Sequence, residues 1–181
     1  YHTDALQATE AEWMLERYAK NPDQPFFLSV GFFRPHTPYI APKSYFEQFP
    51  LSEMTLIGGI AEDQSDIPAA GLGSYRIDPN KFTEELQKEA LQAYYASISF
   101  MDAQVGRVVA ALDRLELAEN TIIVFTSDHG YHTGEHGLWQ KMSLFEESSR
   151  VPLLIVAPGT TKGTVVTTPV SHVDLYPTLT D

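Results

Sequence analysis

The chain contains no cysteine, which excludes disulfides, thiolate-bound zinc and a cysteine nucleophile on any of its residues. Positive charge is scarce as well: 12 Lys and Arg stand against 24 Asp and Glu, a formal net charge of −12. Nonspecific binding to nucleic acid or an anionic membrane needs a phosphate-neutralising basic face, so neither is expected as a partner. Any polyanionic ligand would need a local basic patch. Long apolar runs are missing: even Phe26 to Phe33 is strand-sized, too short for a membrane span. The opening Tyr1-His2-Thr3-Asp4 has neither a basic nor an apolar signal region. No Asn-X-Ser/Thr glycosylation acceptor occurs. Nor is there a Gly-Lys-Ser phosphate loop, a Gly-X-Ser-X-Gly elbow or a Gly-X-Gly-X-X-Gly fingerprint, so nucleotide-binding and serine-hydrolase readings lack their main support.

What is present is a sizeable apolar complement. With 181 residues, 43% hydrophobic and 12% aromatic, the chain can bury a core and has the length of one ordinary domain. It starts without Met, which points to a missing front. At the other end, Val173 to Leu179 reads as the opening of a helix with Pro177 in its first turn, and Asp181 follows before that helix could mature. The expectation is a piece of a longer domain, incomplete at both ends.

Leu6, Trp13, Met14 and Tyr18 recur at near-helical spacing and predict an amphipathic helix over 3–20, ended by Asn21-Pro22. Phe26 to Phe33 is a nearly continuous apolar run of the kind buried on both faces of a sheet. It ends at Arg34-Pro35-His36-Thr37-Pro38, where two prolines are expected to hold the backbone extended around His36. Residues 39–80 carry prolines, glycines and acids without a sustained period. They read as a long excursion with a short helix near 43–48, of a length usually functional or mobile. Leu91, Tyr94, Ile98, Met101, Val105, Val108, Val109, Leu112 and Leu115 mark a long helix over 83–115, with Gly106 expected to permit close packing. Buried strands are predicted over 121–125 and 151–157, a helical turn near 143–149, and a last strand-like piece over 164–170. Helix, strand, long helix, strand, strand favours an α/β sandwich with helices on a mostly parallel sheet.

The most telling stretch is Thr126-Ser127-Asp128-His129-Gly130, just past the apolar run 121–125 and followed by Gly134-Glu135-His136-Gly137 and Lys141. The carboxyl end of a core strand is where open α/β sheets place their chemistry. A carboxylate and a neutral imidazole are both good ligands of a divalent cation, and Gly130 is expected to relax the turn so that they converge. Two ligands do not complete a site, and the same residues could form a capped turn with a hydrogen-bonded histidine. Lys141 lies near Trp139, which could hold its ammonium toward an anionic substrate; a solvated surface lysine is the plainer alternative. His36 could bind an oxyanion or protonate a leaving group, or be satisfied by the backbone of its turn. His132 and His136 are weaker candidates, with Glu135 orienting one of them. His172 either caps the final helix or sits at the rim of the site.

Linked segments, rather than any one residue, carry a family resemblance. Pro25 to Val30 with Arg34-Pro35-His36-Thr37-Pro38, then Tyr95 to Arg107, Asn120 to Lys141, and Arg150-Val151-Pro152-Leu153 with Pro158-Gly159 resemble, in this order, the sulfatases of the alkaline-phosphatase superfamily. Ser127-Asp128-His129-Gly130 with Gly134-Glu135-His136-Gly137 and Lys141 is particularly similar to the branch containing iduronate-2-sulfatase. The resemblance implies an alkaline-phosphatase-like three-layer α/β sandwich, with residues 1–181 forming the later portion of one catalytic domain. It implies hydrolysis of sulfate esters of a carbohydrate or small alcohol. Asp128 and His129 would be two ligands of a calcium ion, or another divalent metal, and His36 and Lys141 would contact the sulfate and its bridging oxygen. The family's nucleophile, a formylglycine made within a Cys/Ser-X-Pro-X-Arg motif, and its amino-terminal pair of metal-binding aspartates do not occur here. The chain alone is therefore expected to be inactive without the remainder of the catalytic domain. A phosphonate monoester or phosphodiester hydrolase of the same superfamily, or a catalytically inactive binding domain, remain alternatives. Export or a lysosomal location is what the family commonly shows.

Overall fold

The computed structural model describes residues 2–73, 81–160 and 163–180; the end of the predicted excursion, residues 74–80, lies outside them. Helix α1 spans Thr3–Tyr18, two residues shorter than predicted. Its buried residues Ala8, Ala11 and Leu15 recur every three or four positions and turn one face to the core. Asp4, in the first turn and 1% exposed, accepts the backbone N–H groups of Phe33 and Arg34 at 3.0 Å each. It fastens the end of the 26–33 segment to the start of α1. Asp4→Ala strands these two donors and is expected to cost about 1–3 kcal/mol, read as a lower urea midpoint of the intact protein; Asp4→Asn, which keeps one acceptor, should lose less.

The 26–33 run departs from the sequence expectation. Residues 26, 28, 30 and 32 are half-buried while 27, 29, 31 and 33 are exposed, with Phe27 at 87%. It alternates like a strand, yet it joins no ladder among the described residues. Phe26 and Leu28 pack on the core made by Leu15, Ala111 and Leu112, and nothing among the described residues covers the other face. The prolines after it do not enforce extension either. Residues 34–38 bend, His36 N–H returns to the Phe33 carbonyl at 2.8 Å, and the Arg34 guanidinium donates to the His36 and Pro38 carbonyls.

The excursion is more structured than its composition implies. It holds helices α2 (Lys43–Phe46) and α3 (Ile60–Asp63) and 3₁₀ turns at Leu51–Glu53 and Gln64–Asp66. The long helix α4 covers Glu84–Arg114, close to prediction because its end signals are explicit. Thr83 caps it by accepting the Leu86 N–H, Glu84 and Glu85 occupy the first turn, and Arg114 the last. At its C-terminus Glu116 takes a left-handed φ of 58°, while Glu116 and Leu117 N–H bond back to Asp113 and Leu112, a Schellman closure that turns Leu117 into the core. Helices α1 and α4 pack together, with Arg107 forking onto the Glu12 carboxylate at 2.7 and 3.2 Å and bonding Ala5 O and Thr9 Oγ1. Gly106 permits no close approach: the space a Cβ would fill is open.

Strand β1 is Ile123–Thr126. Short strands β2 (His132–Thr133) and β3 (Trp139–Gln140) pair antiparallel. Helix α5 is Glu146–Ser149, and β4, Leu153–Val156, pairs antiparallel with β1. Both ladders among the described residues are thus antiparallel. The expected parallel partners of β1 are not among these residues, and β4, read as buried, leaves Leu154, Ile155 and Val156 at 54%, 46% and 57% exposed. Residues 163–170 are exposed and form no strand. The chain ends in a 3₁₀ turn, His172–Asp174, running into α6, Leu175–Thr180.

Candidate active site

Strand β1 delivers the site. Its last residue, Thr126, bonds the Pro152 carbonyl at 2.9 Å, fixing the strand end against the start of β4. The Ser127 hydroxyl then donates to the His129 carbonyl at 2.8 Å, which curls the chain so that Asp128 projects outward with 87% of its side chain exposed. His129 is oriented from both ring nitrogens. Nδ1 lies 2.7 Å from the Gly130 carbonyl, which can only accept, so Nδ1 carries the hydrogen and Nε2 the lone pair. That lone pair accepts from Lys141 Nζ at 2.6 Å. The Asp128 carboxylate stands 3.6 Å from the same Nε2. The structure therefore brings Asp128, His129 and Lys141 together, with an imidazole nitrogen, a carboxylate and an ammonium converging at the carboxyl end of a strand.

Two details differ from the sequence reading. Trp139 does not hold Lys141: it is buried edge-on against Phe82, and the lysine's partner is His129. Gly130 serves close approach rather than an unusual turn, because a Cβ there would meet the Glu147 carbonyl oxygen at 2.1 Å and that of Arg150 at 2.8 Å. Its N–H reaches the Ser148 carbonyl at 2.8 Å. Helix α5 and the motif loop are thus in backbone contact.

His36 is exposed, and its Nδ1 lies 2.7 Å from the Thr37 carbonyl, which places the hydrogen on Nδ1 and the lone pair on Nε2. Among the described residues no hydrogen bond or ion pair joins His36 to Asp128, His129 or Lys141. The two segments meet instead through tyrosines absent from the sequence-derived site. Tyr39, three residues after His36, shares a short hydroxyl contact with Tyr131, two residues after His129. Tyr94 of α4 stacks on Tyr131 with ring centres 4.9 Å apart and meets Tyr39 edge-on. Burial pushes the Tyr39 and Tyr94 phenols up, Tyr94 to about 12, so both remain neutral donors at ordinary pH. The helical spacing of Tyr94 predicts only a place on the apolar face of α4, and no sequence signal links it to residues 39 and 131.

The other histidines divide by role. His136 adopts φ 56°, stacks on Phe145, and holds Asp63 at 2.9 Å and Glu147 at 3.5 Å. It staples the excursion to α5. Gly137 beside it, at φ 68°, lies so close to Gln64 and Ile60 that a Cβ would clash. The Glu135 carboxylate accepts from the Thr133 N–H and hydroxyl rather than from a histidine ring, while its backbone lies against His132. His132 is 1% exposed, and burial pushes its imidazole below the usual histidine value despite the nearby Glu147 and Glu135 carboxylates. Ser171, not His172, caps the final turn, in a reciprocal box with Asp174. His172 Nε2 lies 3.1 Å from Thr126 Oγ1, at the rim of the strand end.

Asp128 and His129 present the donor types of a divalent-cation site, an exposed carboxylate and an unprotonated Nε2. Among the described residues no group of three or more His, Asp or Glu is arranged to hold a metal ion, so this pair fits as part of a ligand set and not as the whole of one.

The sulfatase family model matches residues 2–181. A sulfatase from Formosa agariphila is 41% identical over 172 residues, covering 92% of this chain and 34% of that protein. Mouse iduronate 2-sulfatase is 39% identical over 171 residues, covering 86% of this chain and 30% of its own length. Among solved structures, a phosphonate monoester hydrolase from Silicibacter pomeroyi superposes with a TM-score of 0.74 at 28% identity, over 93% of this chain and 37% of that one. The chain thus spans about a third of the relatives it matches, and its mixed helix-and-sheet arrangement is a part of the alkaline-phosphatase-like sandwich. This chain belongs to the sulfatase family.

Proposed function

We propose that the intact protein hydrolyses sulfate esters of a carbohydrate or small alcohol, and that Asp128, His129, Lys141 and His36 are this chain's share of the active site. The observation that carries the reading is the 2.6 Å pairing of Lys141 Nζ with the lone-pair nitrogen of His129 at the end of β1. An ammonium has three donors, so Lys141, placed beside His129, can donate to the sulfuryl oxygens, where negative charge grows as the ester bond breaks. Its half-buried position makes that charge worth more than on an open surface. His129 keeps Nε2 unprotonated through its Nδ1–H bond to Gly130, and Asp128 offers its carboxylate beside it; these two are the proposed ligands of calcium or another divalent cation, which would take the Nε2 lone pair in place of Lys141. With Nδ1 anchored on Thr37, His36 would carry a proton to the departing alcohol on Nε2, in its imidazolium form. A cation held by Asp128 and His129 would supply charge neutralisation, and a formylglycine from outside this chain would supply the nucleophile.

The same clamp suits a phosphoryl centre, and the likeness to a phosphonate monoester hydrolase favours a phosphonate monoester or phosphodiester as the second reading. Steady-state turnover of the intact protein on matched aryl sulfate, aryl phosphodiester and phenylphosphonate monoester substrates separates the two. Sulfate-ester hydrolysis is expected to have the highest kcat/KM; faster phosphodiester or phosphonate cleavage would overturn the assignment.

A further inference from the structure

We propose that His132 is a positioning residue, whose buried hydrogen-bond chain through Ser143 and Ser148 sets Lys141 against His129. His132 lies on β2, three residues past His129. Its Nε2 is 2.7 Å from Ser143 Oγ, and that hydroxyl is 2.9 Å from Ser148 Oγ. His132 and Ser148 are 1% and 5% exposed, so the bonds are made with little competition from water. Both ends of the chain reach the site. Ser143 N–H bonds the Lys141 carbonyl at 2.9 Å, while the Ser148 carbonyl takes the Gly130 N–H at 2.8 Å. Ser143 Oγ also accepts from the Phe145 N–H at 3.3 Å, fixing the turn between Lys141 and α5.

Three backbone segments therefore meet on these side chains: the loop carrying His129, the stretch carrying Lys141, and α5. Residues 129 and 141 sit on a loop with left-handed residues at 134, 136, 137 and 140 and only one two-residue ladder. Little regular pairing otherwise maintains the 2.6 Å contact. His132 Nδ1 has no hydrogen-bond partner of normal geometry, only the Glu135 backbone nearby, so the link from Nε2 to Ser143 is the ring's well-formed bond. Its aromatic neighbours are His136 and Phe145, both edge-on at about 6 Å, and the Glu135 and Glu147 carboxylates lie near it.

His132→Phe keeps the ring volume and removes the bond. His132→Gln can restore a polar group near the Nε2 position. In hydrogen exchange on the intact protein, His132→Phe is expected to speed exchange of the Gly130 and Ser143 amides at least roughly tenfold and to leave the α1 and α4 amides unchanged, since local opening is separable from global unfolding. The glutamine variant should recover most of this protection. The catalytic arm, which rests on the sulfatase reading, expects kcat/KM for an aryl sulfate to fall on the order of 10- to 100-fold, the scale of a roughly 1 Å misplacement. On a Lys141→Ala background the same substitution should have almost no further effect, because positioning through an absent residue cannot be lost again.

Unchanged exchange at Gly130 and Ser143 would overturn the proposal, as would acceleration spread evenly through α1 and α4, or an undiminished His132→Phe effect in the Lys141→Ala protein. If the intact protein cleaves no sulfate ester, the functional reading fails by itself and the exchange result still decides the positioning role.

Discussion

Replacing Lys141 by alanine is expected to lower kcat/KM of the intact protein for a sulfate ester by about 10²–10³-fold, the range for removing one preorganised donor to a developing oxyanion. The side chain is placed for this by its contact with His129 Nε2 at 2.6 Å and by the Ser143 N–H bond to its own carbonyl. Lys20, exposed beyond the end of α1, supplies the comparison: Lys20→Ala removes the same charge from the chain and should leave turnover within about twofold, because exposed charges contribute little. Lys141→Arg is expected to recover little activity. A planar guanidinium cannot occupy the compact position of an ammonium so close to an imidazole nitrogen. The measurement is steady-state kinetics for the three variants, and equal small effects of Lys141→Ala and Lys20→Ala would return Lys141 to the solvated surface.

Among the glycines, Gly130→Ala is expected to be the most damaging replacement by alanine. The new Cβ would fall 2.1 Å from the Glu147 oxygen and 2.8 Å from the Arg150 oxygen, both backbone atoms that no rotamer change can move. Either α5 withdraws or the His129 loop shifts. The first loses the Gly130 N–H bond to Ser148, and the second displaces Asp128 and His129. An unfolding loss of about 3 kcal/mol is expected, at the upper end for overpacking, with turnover falling by roughly 10²-fold for a displacement near 1 Å. Gly106→Ala gives the contrast: it lies inside α4 with open space around the added atom and should stabilise by about 0.5–1 kcal/mol through helix propensity. Denaturant midpoints for both variants test the pair, and a silent Gly130→Ala would refute the close-packing account.

These glycines show where sequence reasoning stopped. Both are single residues without local context, and their roles were reversed: Gly106 was expected to allow close packing and does not, whereas Gly130 was expected to ease a turn and instead permits two backbones to touch. A missing side chain is informative only once the opposing surface is known. Helix α4 was legible because its signals are local, from the Thr83 cap and acidic first turn to the apolar spacing that ends at Leu115. The 26–33 run and β4 were legible as extended apolar segments. Their burial was not, because burial depends on neighbours that these residues do not supply.

The site divides in the same way. Asp128, His129 and Lys141 stand within 14 residues of one another, and their types and strand-end position marked them before any geometry was known. The sequence by itself determined the long helix, the acidic charge balance and these candidate donors, since each rests on residue chemistry or short-range spacing, and it showed the family through the resemblance of linked segments between Pro25 and Gly159. Tertiary structure alone decided that Lys141 meets His129 and not Trp139, that Tyr39, Tyr94 and Tyr131 join the His36 turn to the motif loop, and that His136 pairs with Asp63. Those contacts cross up to 92 residues, and no local periodicity encodes a partner so distant; it is the packing of α4, the excursion and α5 around one strand end that selects them.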